Sequence, residues 1–182
     1  MSRELRIHVG VIAEKRKSSS QWAEDYWIPT GVVESHLNQH EGDVLYQTDD
    51  LKRYFMGYSE IYCHAKETEA YIHNFESRVP AIYVILRRDD ENAHSLDWYV
   101  HDVTVSPYEA QDYSDSAEDI VERVAMPVGI AKRVMEFIDL HHVDEKFKKR
   151  KRKDFKSEIK QFGKEPIFLE RDRPDKNGGF DA

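Results

Sequence analysis

The feature that most constrains the fold is the uninterrupted apolar run Ala81-Ile82-Tyr83-Val84-Ile85-Leu86. A strand that faces water on one side alternates polar and apolar residues, and this run does not alternate. Both faces of the strand must therefore be covered, which predicts a central strand of a sheet that packs on other elements from both sides.

Further strands are predicted by short segments rich in β-branched and aromatic residues. They lie at 7–13, 28–33, 97–105 and 120–125, and segments 44–47 and 53–64 are expected to pair as a hairpin. Within the second arm of the hairpin, the alternation of Tyr54, Met56 and Tyr58 changes phase before Ile61 and Cys63. Such a change of phase predicts a β-bulge, here within 57–60.

Two helices are predicted from apolar residues at helical spacing. The first begins with Thr68 as its cap and is stopped by Pro80, and its apolar face consists of Tyr71, Ile72, Phe75 and Val79. The second has Pro127 in its first turn and is longer, and its apolar face consists of Ile130, Val134, Phe137, Ile138 and His141.

The order of these elements predicts the α+β class. We expect a mainly antiparallel sheet of about five to seven strands, with one helix between strands and a longer C-terminal helix. The acidic segment 107–118 is expected to lie at the surface with one helical turn. A single domain would then span 1–145, followed by a basic extension that can be helical at 146–160 and by a disordered tail at 161–182.

Charge is distributed unevenly along the chain, and this asymmetry is its main functional signal. The segment 146–156 carries eight basic side chains and one acidic side chain, whereas the whole chain has 27 basic and 35 acidic ones. The remainder therefore holds 19 basic and 34 acidic side chains, a net charge of −15. A basic segment on an acidic protein favours an anionic partner.

The basic segment predicts a docking site for an acidic surface of a partner protein. Phe147 and Phe155 interrupt the charges eight residues apart and could anchor one face of a helix to an apolar patch. The partner-binding residues would be Lys146, Phe147, Lys148, Lys149, Arg150, Lys151, Arg152, Lys153 and Phe155. A solvated segment that only improves solubility is the plain alternative. Nucleic acid is a weaker one, because the acidic remainder repels phosphates.

An aromatic cluster precedes the second predicted strand. Trp22, Tyr26 and Trp27 are expected to pack at the edge of the core, or else to form an exposed groove for a ligand. Arg16 lies shortly before them and could orient an anionic group there. Arg16, Trp22 and Trp27 are therefore the candidate ligand surface.

Other kinds of site find little support in the sequence. Cys63 is the only cysteine, so it cannot form a disulfide within the chain, and a cytoplasmic location follows as the expectation. The nine histidines show no metal-ligand spacing, and no nucleophile elbow or phosphate-binding loop occurs. We expect no metal, no cofactor and no catalytic set. No stretch approaches the roughly 20 apolar residues of a membrane span.

Several pieces of the chain, in order, resemble a known family. They are 10–16, Trp22 and Trp27 with Pro29, 67–71 with Asn74, 80–87, 106–110, Met126-Pro127, 137–142 and 147–152. In these pieces the chain resembles an uncharacterised bacterial domain family whose genes often lie beside those for molybdenum-dependent formate dehydrogenases. The resemblance runs from about Arg6 to Lys153.

The resemblance implies a role in maturation rather than a chemistry. We expect a non-enzymatic accessory protein that binds a formate dehydrogenase subunit or an assembly factor. A domain that binds a small nucleotide- or pterin-like ligand is the alternative. A nucleic-acid-binding protein and an unrecognised enzyme follow as weaker hypotheses.

Overall fold

The computed structural model describes residues 2–20, 25–34 and 38–143. In these residues the strands are β1 (Glu4–Arg16), β2 (Tyr26–Val33), β3 (Val44–Gln47), β4 (Leu51–His64), β5 (Ala81–Arg88), β6 (Trp98–Thr104) and β7 (Ile120–Ala125). The helices are α1 (Thr68–Phe75), α2 (Pro107–Ser116) and α3 (Val128–His141).

The strands form two antiparallel sheets, and the predicted α+β class is confirmed. One sheet has the order β2-β1-β4-β3, and the other has the order β6-β5-β7. β5 contains the continuous apolar run and lies at the centre of its sheet, as its composition predicts. β4 contacts β6 and β2 contacts β7, so both edge strands of the smaller sheet contact the larger sheet.

The core lies between the sheets and continues under α1 and α3. β1 contributes alternate residues from Ile7 to Ala13, which are fully buried, and β5 contributes Ile82, Val84 and Leu86. The predicted apolar face of α3 is confirmed for Ile130, Val134, Phe137 and Ile138, which are all buried, whereas His141 is half-buried. α2 contacts all three strands of the smaller sheet.

The bulge predicted in the second hairpin arm exists and lies at the start of the predicted interval. The pairing with β1 shifts between Phe55 and Tyr58, and Gly57 there has a φ of 99°, which suits glycine. The shift directs Tyr54 and Met56 toward the core and Tyr58 to the outer face. The sequence interpretation that all three share one face is therefore wrong for Tyr58.

The helices between strands differ in length from the prediction. α1 ends at Phe75, so Val79 lies outside the helix and is exposed. Thr68 is the first helical residue rather than the cap, and its Oγ1 contacts Nδ1 of His142 at 3.1 Å. The acidic segment after β6 forms the full helix α2 instead of one turn.

Some predictions fall on residues that the structure does not describe. These are the basic segment 146–156, the domain limit at 145, the tail at 161–182, and Trp22. They stay predictions. None of the helices within the described ranges is long and apolar enough to cross a membrane.

Candidate functional site

A cavity of about 810 Å³ opens where five strands begin or end. It lies at the last residues of β1 and β5 and at the first residues of β2, β6 and β7. Its lining residues are Lys15, Asp25, Tyr26, Trp27, Arg88, Asp89, Asp90, Asn92, Asp97, Trp98 and Ile120. The volume suits a small organic ligand or the end of a peptide.

The aromatic residues among the described lining of this cavity are Tyr26, Trp27 and Trp98. Trp27 is only 6% exposed, and its ring packs on Tyr54 with a centroid separation of 5.2 Å. Trp98, at the start of β6, is half-buried. The ammonium of Lys15 lies 5.8 Å from the centre of the Trp27 ring, because Lys15 and Trp27 are direct partners in the β1–β2 ladder. Trp27 is thus both part of the core and a wall of the cavity.

The charged side chains of the cavity are partly paired with one another. Lys15 Nζ lies 3.5 Å from Asp97 Oδ2, and Arg88 Nε lies 3.5 Å from Asp90 Oδ1. Asp89 accepts hydrogen bonds from the backbone amides of His94 and Ala93, at 2.7 and 3.1 Å. These bonds, from His94 first, hold the pKa of Asp89 below its ordinary value.

The balance of charge limits what the cavity can bind. Among the described lining residues, four aspartates, at positions 25, 89, 90 and 97, face two cationic side chains, Lys15 and Arg88. A phosphate group would therefore meet net repulsion, whereas a neutral planar ring could stack on the half-buried indole of Trp98. The cavity suits an uncharged heteroaromatic ligand better than a nucleotide.

Arg16 belongs to a different site from Trp27. Side chains alternate along a strand, so Lys15 points toward the cavity and Arg16 toward the outer face of the sheet. There Arg16 Nε donates to Glu14 Oε2 at 2.8 Å. Arg53, on β4, donates to Glu14 Oε1 through Nε and Nη2, at 2.9 and 2.7 Å. The predicted ligand surface therefore divides between two faces.

Glu14 is a buried carboxylate held between these two arginines. Burial by itself raises the pKa of Glu14, but the hydrogen bonds from Arg53 and Arg16 and their positive charges outweigh burial and lower it. The carboxylate is consequently ionised at neutral pH. The sequence interpretation missed Arg53, because the partner is 39 residues away from Glu14 and only the β1–β4 register brings them together.

A comparison with protein families bears on this arrangement. The family model described as "Protein of unknown function (DUF3305)" matches residues 8–151. The chain belongs to this family. The DUF3305 match includes every lining residue of the cavity as well as Glu14, Arg16 and Arg53. No curated protein and no solved structure matches the chain significantly.

Within the DUF3305 region, Cys63 lies in β4 and is fully buried. Burial, and then the nearby charges of Glu109 and Glu67, raise the pKa of its thiol to about 12. A thiol is a nucleophile only as the thiolate, so Cys63 acts as a small core residue at neutral pH.

Proposed function

We propose that this protein is a non-enzymatic accessory protein that binds the acidic surface of a partner protein through its basic segment 146–156. The observation that carries the proposal is the charge asymmetry of the chain, in which the remainder has a net charge of −15. An acidic partner would be attracted by the segment and repelled by the rest, so the charges would fix the orientation of docking.

We further propose that the partner is a subunit or an assembly factor of a molybdenum-dependent formate dehydrogenase, in the cytoplasm. The support for this step is the family resemblance alone. Membership of DUF3305 adds no activity, since that family is described only as of unknown function. Phe147 and Phe155 would add apolar anchors to the electrostatic attraction. Nucleic acid is the less favoured partner, since phosphates would be repelled by the acidic remainder.

The test compares binding of formate dehydrogenase subunits and assembly factors by the wild-type chain and by a charge-reversed variant. Lys149→Glu, Arg150→Glu and Lys151→Glu together should abolish most of the binding at low salt. The matched control reverses three exposed basic residues of the folded domain, Lys66, Arg78 and Lys132, with the same change in net charge. If both triple variants bind equally well, the basic segment is not the interface.

A second function is favoured by the cavity at the strand ends. Its two tryptophans and its volume of about 810 Å³ suit a small planar ligand, and its excess of carboxylates favours a neutral pterin-like compound over a nucleotide. A ligand that binds only the folded state raises the unfolding temperature. A pterin should therefore raise the Tm of the wild type but not that of Trp98→Ala, and no shift with either protein would exclude this function.

A further inference from the structure

A row of charged and aromatic side chains crosses all four strands of the larger sheet on its outer face. In the ladder, Arg16 is the direct partner of Tyr26, and Glu14 and Tyr46 are both partners of Arg53. The row therefore runs from Tyr26 on β2, through Arg16 and Glu14 on β1 and Arg53 on β4, to Tyr46 on β3. We call these five residues the Arg–Tyr row.

We infer that the Arg–Tyr row is a second docking site for the partner, and that it takes an acidic segment of that protein. The inference rests on the proposed accessory function, because it adds a recognition surface for the same acidic partner. All members of the row lie within the described residues.

Burial of Glu14 fixes the two guanidinium groups in place. Each oxygen of its carboxylate is engaged by one arginine, Oε2 by Arg16 and Oε1 by Arg53. The Arg16 and Arg53 side chains nevertheless stay 41% and 44% exposed. A guanidinium that is already oriented loses less conformational entropy when a second carboxylate binds its outer edge.

The charge of the row calls for an anionic occupant. Two guanidinium groups face one carboxylate, which leaves one positive charge on an otherwise acidic protein. An acidic segment complements that charge through salt bridges to the exposed edges of the two guanidinium groups.

The tyrosines at the ends of the row supply contact area. Tyr26 is 49% exposed and Tyr46 is 52% exposed, and the Arg53 guanidinium lies 5.8 Å from the centre of the Tyr46 ring. Tyrosine and arginine are the residues in which protein–protein binding energy is most often concentrated. The arrangement suits a protein segment with carboxylates and an apolar side chain between them, rather than a free ion.

The experiment is a titration of the full ¹⁵N-labelled chain with a short polyglutamate peptide, followed by NMR. We expect shifts at the Arg16 and Arg53 Nε–Hε signals and at the amides of Tyr26 and Tyr46. Shifts confined to 146–156 would overturn the Arg–Tyr row and leave the basic segment as the docking site. Shifts at the row without any in 146–156 would support the row and contradict the proposed role of the basic segment.

Variants made in the chain with Lys149, Arg150 and Lys151 reversed isolate the row from the basic segment. Arg16→Ala and Tyr46→Ala should each weaken peptide binding about fivefold or more, the loss typical of an interface hot spot. Tyr46→Ala leaves Glu14 and both arginines in place, so it remains informative if an arginine variant unfolds.

The control is Arg6→Ala, on the same strand and face. Arg6 is 59% exposed, pairs with Glu60 at 3.2 Å and lies 5.2 Å from the centre of the Tyr62 ring, but it holds no buried carboxylate. We expect its removal to change binding less than about twofold, since exposed pairs contribute little. Equal losses for Arg6→Ala, Arg16→Ala and Tyr46→Ala would overturn the inference in favour of a general charge effect.

Discussion

Glu34 reaches from the end of β2 to the N-terminus of α3, where its Oε1 accepts a hydrogen bond of 3.0 Å from the backbone amide of Ile130. The contact is made possible by the glycine that precedes Ile130. A Cβ at position 129 would lie 2.5 Å from the same carboxylate oxygen. Glycine in a helix is ordinarily unfavourable, and here it leaves room for a capping side chain from another element.

The cap and the glycine should be energetically coupled. In the wild-type background, Gly129→Ala gains helix propensity but displaces the Glu34 carboxylate, and the two effects oppose each other, so the net change should stay within about 1 kcal/mol. In a Glu34→Ala background the same substitution should stabilise the protein by up to about 1 kcal/mol. Urea denaturation of the four proteins gives the coupling energy, and additive effects would contradict the cap.

Asn74 should be among the most sensitive polar positions. Its side chain is 1% exposed, and Nδ2 donates to the carbonyls of Ala81 and Val105 at 2.7 and 2.8 Å, while Oδ1 accepts from the Ala81 amide at 3.0 Å. Asn74→Ala leaves these buried groups without that partner, which should lower the free energy of unfolding by about 3 kcal/mol. Glu69→Gln, an exposed change on the same helix, should stay within about 0.5 kcal/mol.

The Glu14 cluster should make stability depend on pH in the acid range. The pKa of Glu14 is lowered in the folded state, so its contribution is full above the ordinary value of 4.5 and is lost as the pH falls through the lowered pKa. Glu14→Gln should cost about 1–2 kcal/mol at neutral pH, less than for a fully buried pair because both arginines are half-exposed. The difference between wild type and variant should shrink on acidification, and a constant difference would refute the ionic role.

Cys63 should be unreactive in the folded protein. With the pKa of the thiol raised to about 12 and the side chain fully buried, iodoacetamide at mildly alkaline pH should label it only after unfolding. Mass spectrometry with and without denaturant measures this directly. Rapid labelling of the native chain would show that β4 opens locally.

The fold was largely accessible from the sequence where the signal is local. The apolar run of β5 predicts its central position, and the phase change in β4 predicts the bulge that the structure has at Gly57. The full length of α2 had a local signal as well. Ser106 caps the helix by accepting from the Glu109 amide at 3.3 Å, and proline follows at the first helical position. The high polarity of the segment obscured both features.

The candidate sites were accessible only in part, because they depend on pairing between distant strands. Trp27 can be singled out as an aromatic residue beside basic ones, but its neighbour Trp98 comes from the other sheet. Glu14 appears in the sequence as an ordinary charged residue on the exposed side of a strand. Its pairing with Arg53 depends on the β1–β4 register, and no local sequence pattern connects the two residues.

Lys15 and Arg16 are consecutive in β1, yet their side chains face opposite sides of the sheet, Lys15 toward the cavity and Arg16 toward the Arg–Tyr row. The face of the sheet on which a β1 side chain lies depends on whether its position is odd or even along the strand. Inserting one residue just before Glu14 would turn the Lys15 side chain to the outer face and the Arg16 side chain to the cavity face, while leaving composition and net charge almost unchanged. The position of a charged residue along β1, and not only its identity, therefore decides which of the two surfaces its side chain joins.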